Sequence, residues 1–222
     1  MSKVSLSISL VLLYSTTFLS SFALAEPIEV NNWQGIQKNA QNYGSSLKLT
    51  ADTNANWQIK IGQWDSSTKG SWSLDGGNHV INASWQPHGF SIENNINAFV
   101  FKNLNFKNVS RDRGPGGVFY NSGGTEQSEI IDSFFDSNSV KNTDGGGVLY
   151  NNATVHLINN SKFSNNYVNN ARGSVIYNNG KITTISNNTF DRNGVYDSSL
   201  GAGGAIYNSA KGTIENITNN EF

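Results

Sequence analysis

The chain has 222 residues, of which 15 are basic and 16 acidic, giving a formal net charge of −1, and it contains no cysteine. Near-neutral charge without a Lys or Arg stripe in the repeats argues against nucleic acid as a partner. Without cysteine there are no disulfide staples, so stability has to come from packing and backbone pairing.

Met1 to Ala25 reads as a secretory signal peptide. Lys3 supplies the basic start, Leu10-Val11-Leu12-Leu13 the dense part of the apolar stretch, and Ala23-Leu24-Ala25 an A-x-A site, so cleavage is expected between Ala25 and Glu26. A retained membrane anchor is the competing reading. It is opposed by the Ser and Thr residues through the stretch and by the small residues at the cleavage position. Residues 26–222 suffice for one domain with a sizeable core, and nothing later in the chain is apolar enough to span a bilayer as a helix.

Residues 26–97 hold all five tryptophans, Trp33, Trp57, Trp64, Trp72 and Trp85. Trp57-Gln58-Ile59-Lys60-Ile61 and His79-Val80-Ile81-Asn82 alternate apolar and polar in the manner of strands, and Asp75-Gly76-Gly77-Asn78 reads as a turn. A short helix is expected around Gln34 to Asn42. This region is read as an N-terminal cap with irregular first coils, in which Trp supplies buried area over the end of a stack. A carbohydrate platform of exposed Trp rings is the functional counterpart of that reading.

From residue 98 to 222 the chain repeats. Phe135-Asp136-Ser137-Asn138, Phe163-Ser164-Asn165-Asn166 and Phe190-Asp191-Arg192-Asn193 share a Phe-x-x-Asn pattern, with Phe106 a degenerate copy and Phe222 opening another, at spacings of 29, 28, 27 and 32. Between them recurs a second block: Gly116-Gly117-Val118-Phe119-Tyr120-Asn121, Gly146-Gly147-Val148-Leu149-Tyr150-Asn151, Gly173-Ser174-Val175-Ile176-Tyr177-Asn178 and Gly203-Gly204-Ala205-Ile206-Tyr207-Asn208. Apolar residues precede each phenylalanine by five positions, at Phe101, Ile130, Ile158, Ile185 and Ile217, and by three more at Val155, Ile182 and Ile214.

No unit this short can bury a core alone, so the units must stack. The pattern predicts an all-β solenoid, a parallel β-helix with equal phases about 4.8 Å apart, Phe on Phe and Ile on Ile. The expected repeat core is Phe106, Phe135, Phe163 and Phe190 with Ile158, Ile185 and Ile217. The 34 asparagines fit left-handed corners and amide ladders along the stack. The double glycines fit sharp corners and close backbone approach; a phosphate cradle would need a following helix with Lys.

Catalytic chemistry finds little to stand on. The best carboxylate pair, Asp136 and Asp191, is two coils apart, about 10 Å by strand spacing, slightly beyond the ~6.5–9.5 Å of inverting glycoside hydrolysis. Solvated turn carboxylates are the preferred reading, so no catalytic residue is assigned. His79, His88 and His156 share no metal-ligand spacing, and Asp does not recur at the turn phase that reads Lys107, Asp136, Ser164 and Asp191, so no metal or cofactor is expected. If Val155 and Leu157 both point inward, His156 points outward. No Gly-x-Ser-x-Gly elbow is present. Tyr120, Tyr150, Tyr177 and Tyr207 form one ordered row: a contact ladder for glycans or proteins if the neighbouring aliphatic residue points inward, a core stack if tyrosine does.

The joint recurrence of Gly-Gly-x-Ile at 203–206, with its variants, and of Phe-x-x-Asn at 135, 163 and 190 resembles the repeats of the chlamydial polymorphic outer membrane proteins. More broadly it is similar to autotransporter passenger domains. The resemblance covers roughly residues 98–222. It implies a right-handed β-helical passenger that acts in adhesion to a host-cell surface protein or glycan, exported by a C-terminal β-barrel, with localisation at the cell surface, in the outer membrane or outside the cell. No residues after Phe222 remain for such a barrel. A solenoid end without a polar cap invites pairing, so a truncated chain is expected, tied to the outer membrane only through the missing barrel. The leading reading is a non-catalytic adhesin-like passenger fragment. A secreted polysaccharide lyase or hydrolase and a purely structural exported solenoid are the alternatives.

Overall fold

The computed structural model describes residues 26–62, 69–87, 89–124, 127–196 and 203–222. The signal segment through Ala25, Trp64 and His88 lie outside the described residues. Strands of two to eight residues follow one another, and the sheets pair parallel, each strand with those one turn before and after. The chain thereby winds into an all-β solenoid of about six turns, here called rungs.

Three sheets form the walls. An eight-stranded sheet runs from Ile28–Val30 to Thr213–Thr218, and a six-stranded sheet from Ile59–Ile61 to Ile206–Asn208. In the third, the long strand Asn105–Asp112 spans a bend. Phe134–Asp136 pairs with its first half and Ser139–Lys141 with its second. The stack passes residue 98 without a break, for Leu74 pairs with Phe101 and Phe90 with Phe119.

The aligned phases are the paired phases. Phe106, Phe135, Phe163 and Phe190 occupy one column, and Phe101, Ile130, Ile158, Ile185 and Ile217 another. The Phe column is dry: Phe106 and Phe135 are fully buried, and Phe163 and Phe190 nearly so. Phe135 and Phe163 stack at 5.3 Å, Phe163 and Phe190 at 5.0 Å. Ile158 and Ile185 are buried, whereas Ile217, on the edge strand of this sheet among the described residues, is 50% exposed. Val155 pairs with Ile182, and Ile182 with Ile214.

Asparagine does two jobs. At corners it takes the left-handed conformation, which costs most other residues about 1–2 kcal/mol: Asn103, Asn160, Asn187 and Asn219 form one such column, completed by Asp132. Inside, it is glue. The Asn138 amide donates to the Asn166 side-chain oxygen at 3.0 Å, and Asn166 donates to that of Asn193 at 3.0 Å. Each also donates to the carbonyl of the phenylalanine one rung earlier, Asn166 to Phe135 at 3.0 Å and Asn193 to Phe163 at 2.9 Å. This bond between rungs explains why Phe and Asn travel together in the motif. A second ladder joins Asn121, Asn151 and Asn178, all buried, to the exposed Asn208 at 2.7–2.8 Å.

The two glycines of the Gly-Gly block have different duties. Gly146 lies at φ +73°, left-handed backbone that favours glycine. Gly147 is constrained by approach, since a Cβ there would run into the carbonyl oxygen of Ser174. The third copy carries Ser174 in place of the second glycine, and its hydroxyl donates to the Gly204 carbonyl at 2.9 Å.

The N-terminal helix is Trp33–Lys38, shorter and earlier than the spacing predicts, because the Asn32 side chain caps it through Gly35 N–H and Asn39 ends it. Trp33 and Ile36 are buried, and the Trp33 ring lies 5.1 Å from Phe90. The tryptophans do not act as one surface. Trp72 is buried like Trp33, Trp57 is half-buried, and Trp85 is 52% exposed.

Candidate contact surface: the tyrosine ladder

In the six-stranded sheet, successive side chains alternate between faces. Phe119, Leu149 and Ile176 enter the core, so Tyr120, Tyr150, Tyr177 and Tyr207 take the opposite, outward face. They are in strict register and continue the column of Lys60 and Ser91 from earlier rungs.

Outward does not mean open. Tyr150 and Tyr177 are only 9% and 7% exposed, while Tyr120 and Tyr207 at the ends of the row are half-buried. The reason is the stack itself: Tyr150 and Tyr177 lie 4.8 Å apart with rings 5° from parallel, and the flanking pairs are 5.8 Å and 5.1 Å apart and tilted. The inner ring faces are spent on one another. What the ladder can offer a ligand is ring edges and hydroxyls, together with the outer faces at its two ends.

Two corner residues guard the hydroxyl side. Asp144 accepts a hydrogen bond from the Tyr150 hydroxyl at 3.2 Å, and the Arg172 guanidinium sits 5.2 Å from the centre of the Tyr207 ring. Burial first, and the Asp144 charge second, push the Tyr150 phenol well above its ordinary value. The same two causes raise Tyr177, opposed by Arg172. Repeat reading overlooked both guards. The available signal was their position just ahead of the glycine block, Asp144 before Gly145-Gly146 and Arg172 before Gly173.

The candidate carboxylates share a column with Ser164 between them. Asp136 accepts from Asn165 Nδ2 at 2.8 Å and from the Ser137 hydroxyl at 3.1 Å, and Asp191 pairs with its neighbour Arg192 at 3.1 Å. His79 lies 3.4 Å from Asp52. Val155 is buried but Leu157 is only half-buried, because Val155 and Ile158, three apart, are the inward pair. The simple alternation behind the expectation for His156 therefore does not hold on this strand. His156 itself is half-buried, its backbone N–H bonded to the Ser128 carbonyl. Among the described residues no three His, Asp or Glu side chains gather as a metal cluster, and no helix is long and apolar enough to cross a membrane.

No protein-family model matches the chain, and no curated protein or solved structure matches it.

Proposed function

We propose that this chain is an exported, non-catalytic passenger of autotransporter type, wound right-handed, with residues 26–97 closing its N-terminal end, and that it serves as a surface-exposed or secreted adhesin. The observation that carries the reading is the unbroken register of the outward columns. A stack that holds its outward residues in register from rung to rung offers an extended lateral surface, as solenoids that bind large partners do. The tyrosine edge with Asp144 and Arg172 is the part of that surface best suited to contact, pairing aromatic area with both signs of charge. Asp136 and Asp191 fit a structural role better than a hydrolytic one, since Asp136 is held by Ser137 and by Asn165 of the next rung and Asp191 by its neighbour Arg192.

The test is binding of the fluorescently labelled, exported chain to cultured epithelial cells, with and without prior protease or glycosidase treatment of the cells. Saturable binding lost after one of these treatments is expected and assigns the receptor as protein or glycan. Tyr120→Ser combined with Tyr207→Ser should weaken it several-fold without changing the circular dichroism spectrum. Binding that never saturates, or release of new sugar ends from an added polysaccharide, would overturn the proposal.

A further inference from the structure

The tyrosine row holds a geometry that contact alone does not require. Tyr150 and Tyr177 come from strands paired residue for residue, and of the three neighbouring pairs in the row they alone are parallel, at 4.8 Å and 5°. At this separation the two phenol rings lie stacked face to face. The Tyr150 hydroxyl already donates to the Asp144 carboxylate, a proton acceptor in place for phenol oxidation. We infer that Tyr150 and Tyr177 are a site of oxidative cross-linking, where a one-electron oxidant joins the two rings as dityrosine and staples two rungs together.

Each phenol gives one electron to the oxidant and one proton to a base, Tyr150 to Asp144 and Tyr177 to solvent. The two phenoxyl radicals couple through the carbons beside oxygen, forming one C–C bond. The hydrogen on each joined carbon then moves to oxygen, which restores both aromatic rings. The pair loses two hydrogen atoms in all, and a peroxide reduced to water by a haem peroxidase accepts them.

Composition favours this fate. Thiols and thioethers are the side chains that most readily intercept oxidants, and the chain has no cysteine and only one methionine, Met1. The half-exposed rings of Tyr120 and Tyr207 give an oxidant access to the ends of the row, and the unbroken ring contacts lead inward to the parallel pair. Exposures of 9% and 7% then shield the inner radicals from a second chain, so coupling stays within the molecule. In a protein without disulfides, the product links residues 150 and 177 and closes one full rung.

The exported chain treated with horseradish peroxidase and hydrogen peroxide should develop dityrosine fluorescence while remaining a monomer on a denaturing gel. Peptide mapping should recover a pair joined at Tyr150 and Tyr177. Tyr150→Phe and Tyr177→Phe keep the ring stack and should each abolish that peptide pair, and Asp144→Asn should slow its formation several-fold. The stapled chain should unfold at higher denaturant concentration than the untreated one. Dityrosine formed only between chains, a joined pair that survives in Tyr150→Phe, or an unchanged unfolding midpoint would each overturn the inference.

Discussion

Two aromatic columns climb this solenoid at the same rise and meet opposite surroundings. Phe135, Phe163 and Phe190 stack inside, each residue at most 5% exposed; Tyr120, Tyr150, Tyr177 and Tyr207 stack outside, with the Tyr150 hydroxyl bonded to the corner residue Asp144. Ring spacing is nearly equal, 5.0–5.3 Å inside and 4.8–5.8 Å outside. Strand pairing sets that rise in both columns. The difference lies in what else each ring touches, so the columns should respond differently to loss of a side chain and to pH.

The largest contrast is expected at Phe163→Ala. Its buried ring fills space between Phe135 and Phe190, and truncation should cost about 3–5 kcal/mol. Urea unfolding of the purified chain measures this. Asp136→Asn, half-buried beside Phe135 one rung earlier, keeps an oxygen for Asn165 and should leave the midpoint nearly unchanged. If the two variants exchanged rank, the inward assignment of the Phe column would be wrong.

Next in size is Asn166→Ala. It strands the Asn138 backbone N–H and side-chain amide, which bond the Asn166 oxygen at 3.1 and 3.0 Å, and it removes the amide donor that Asn166 gives the Phe135 carbonyl. Stranded buried polar groups make the expected loss about 2–3 kcal/mol. Hydrogen exchange sharpens the measurement: the Asn138 amide should lose protection before amides of the eight-stranded sheet do. Equal loss everywhere would show that the ladder has no local role.

Much of this was readable from spacing. Where a residue recurs at a fixed phase, stacking puts its copies in one column, and Phe135, Ile158 and Tyr150 lie with their repeats as the alignment requires. What escaped were features that change identity while keeping their role. A third ladder passes through Ser133, Ser161, Asn188 and Asn220, two residues before each phenylalanine, with Ser161 Oγ accepting from Ser133 N–H and Asn188 Oδ1 accepting from Ser161 N–H. Ser and Asn look unlike, yet both place an oxygen at the same point. Asp144 and Arg172 escaped for the opposite reason: they belong to corners, where successive rungs carry unrelated residues. The facing of the tyrosines was undecidable from Val-Leu-Tyr-Asn alone, because period-two alternation fixes relative faces and not which face is inside.

The smallest effect is the one most particular to the outer column. A phenol held above its ordinary value in the folded chain keeps its proton where the unfolded chain loses it. Below pH about 10, the ordinary tyrosine range, both states are protonated and stability is flat. Above it, the unfolded state ionises first, and stability falls as pH rises toward the folded-state value. Burial and Asp144 place Tyr150 in this class, and Tyr177 follows for the same two causes. Tyr150→Phe should therefore cost about 1 kcal/mol or less at neutral pH, the worth of one exposed-side hydrogen bond, and should make the alkaline decline shallower. Phe163→Ala should shift the whole profile down without changing its slope. Thermal melts from pH 8 to pH 11 separate the two behaviours, because a buried apolar ring has no proton to lose and a guarded phenol does. If Tyr150→Phe declined as steeply as the unaltered chain, Asp144 would not be acting on the ladder, and the outer column would be a packing feature like the inner one.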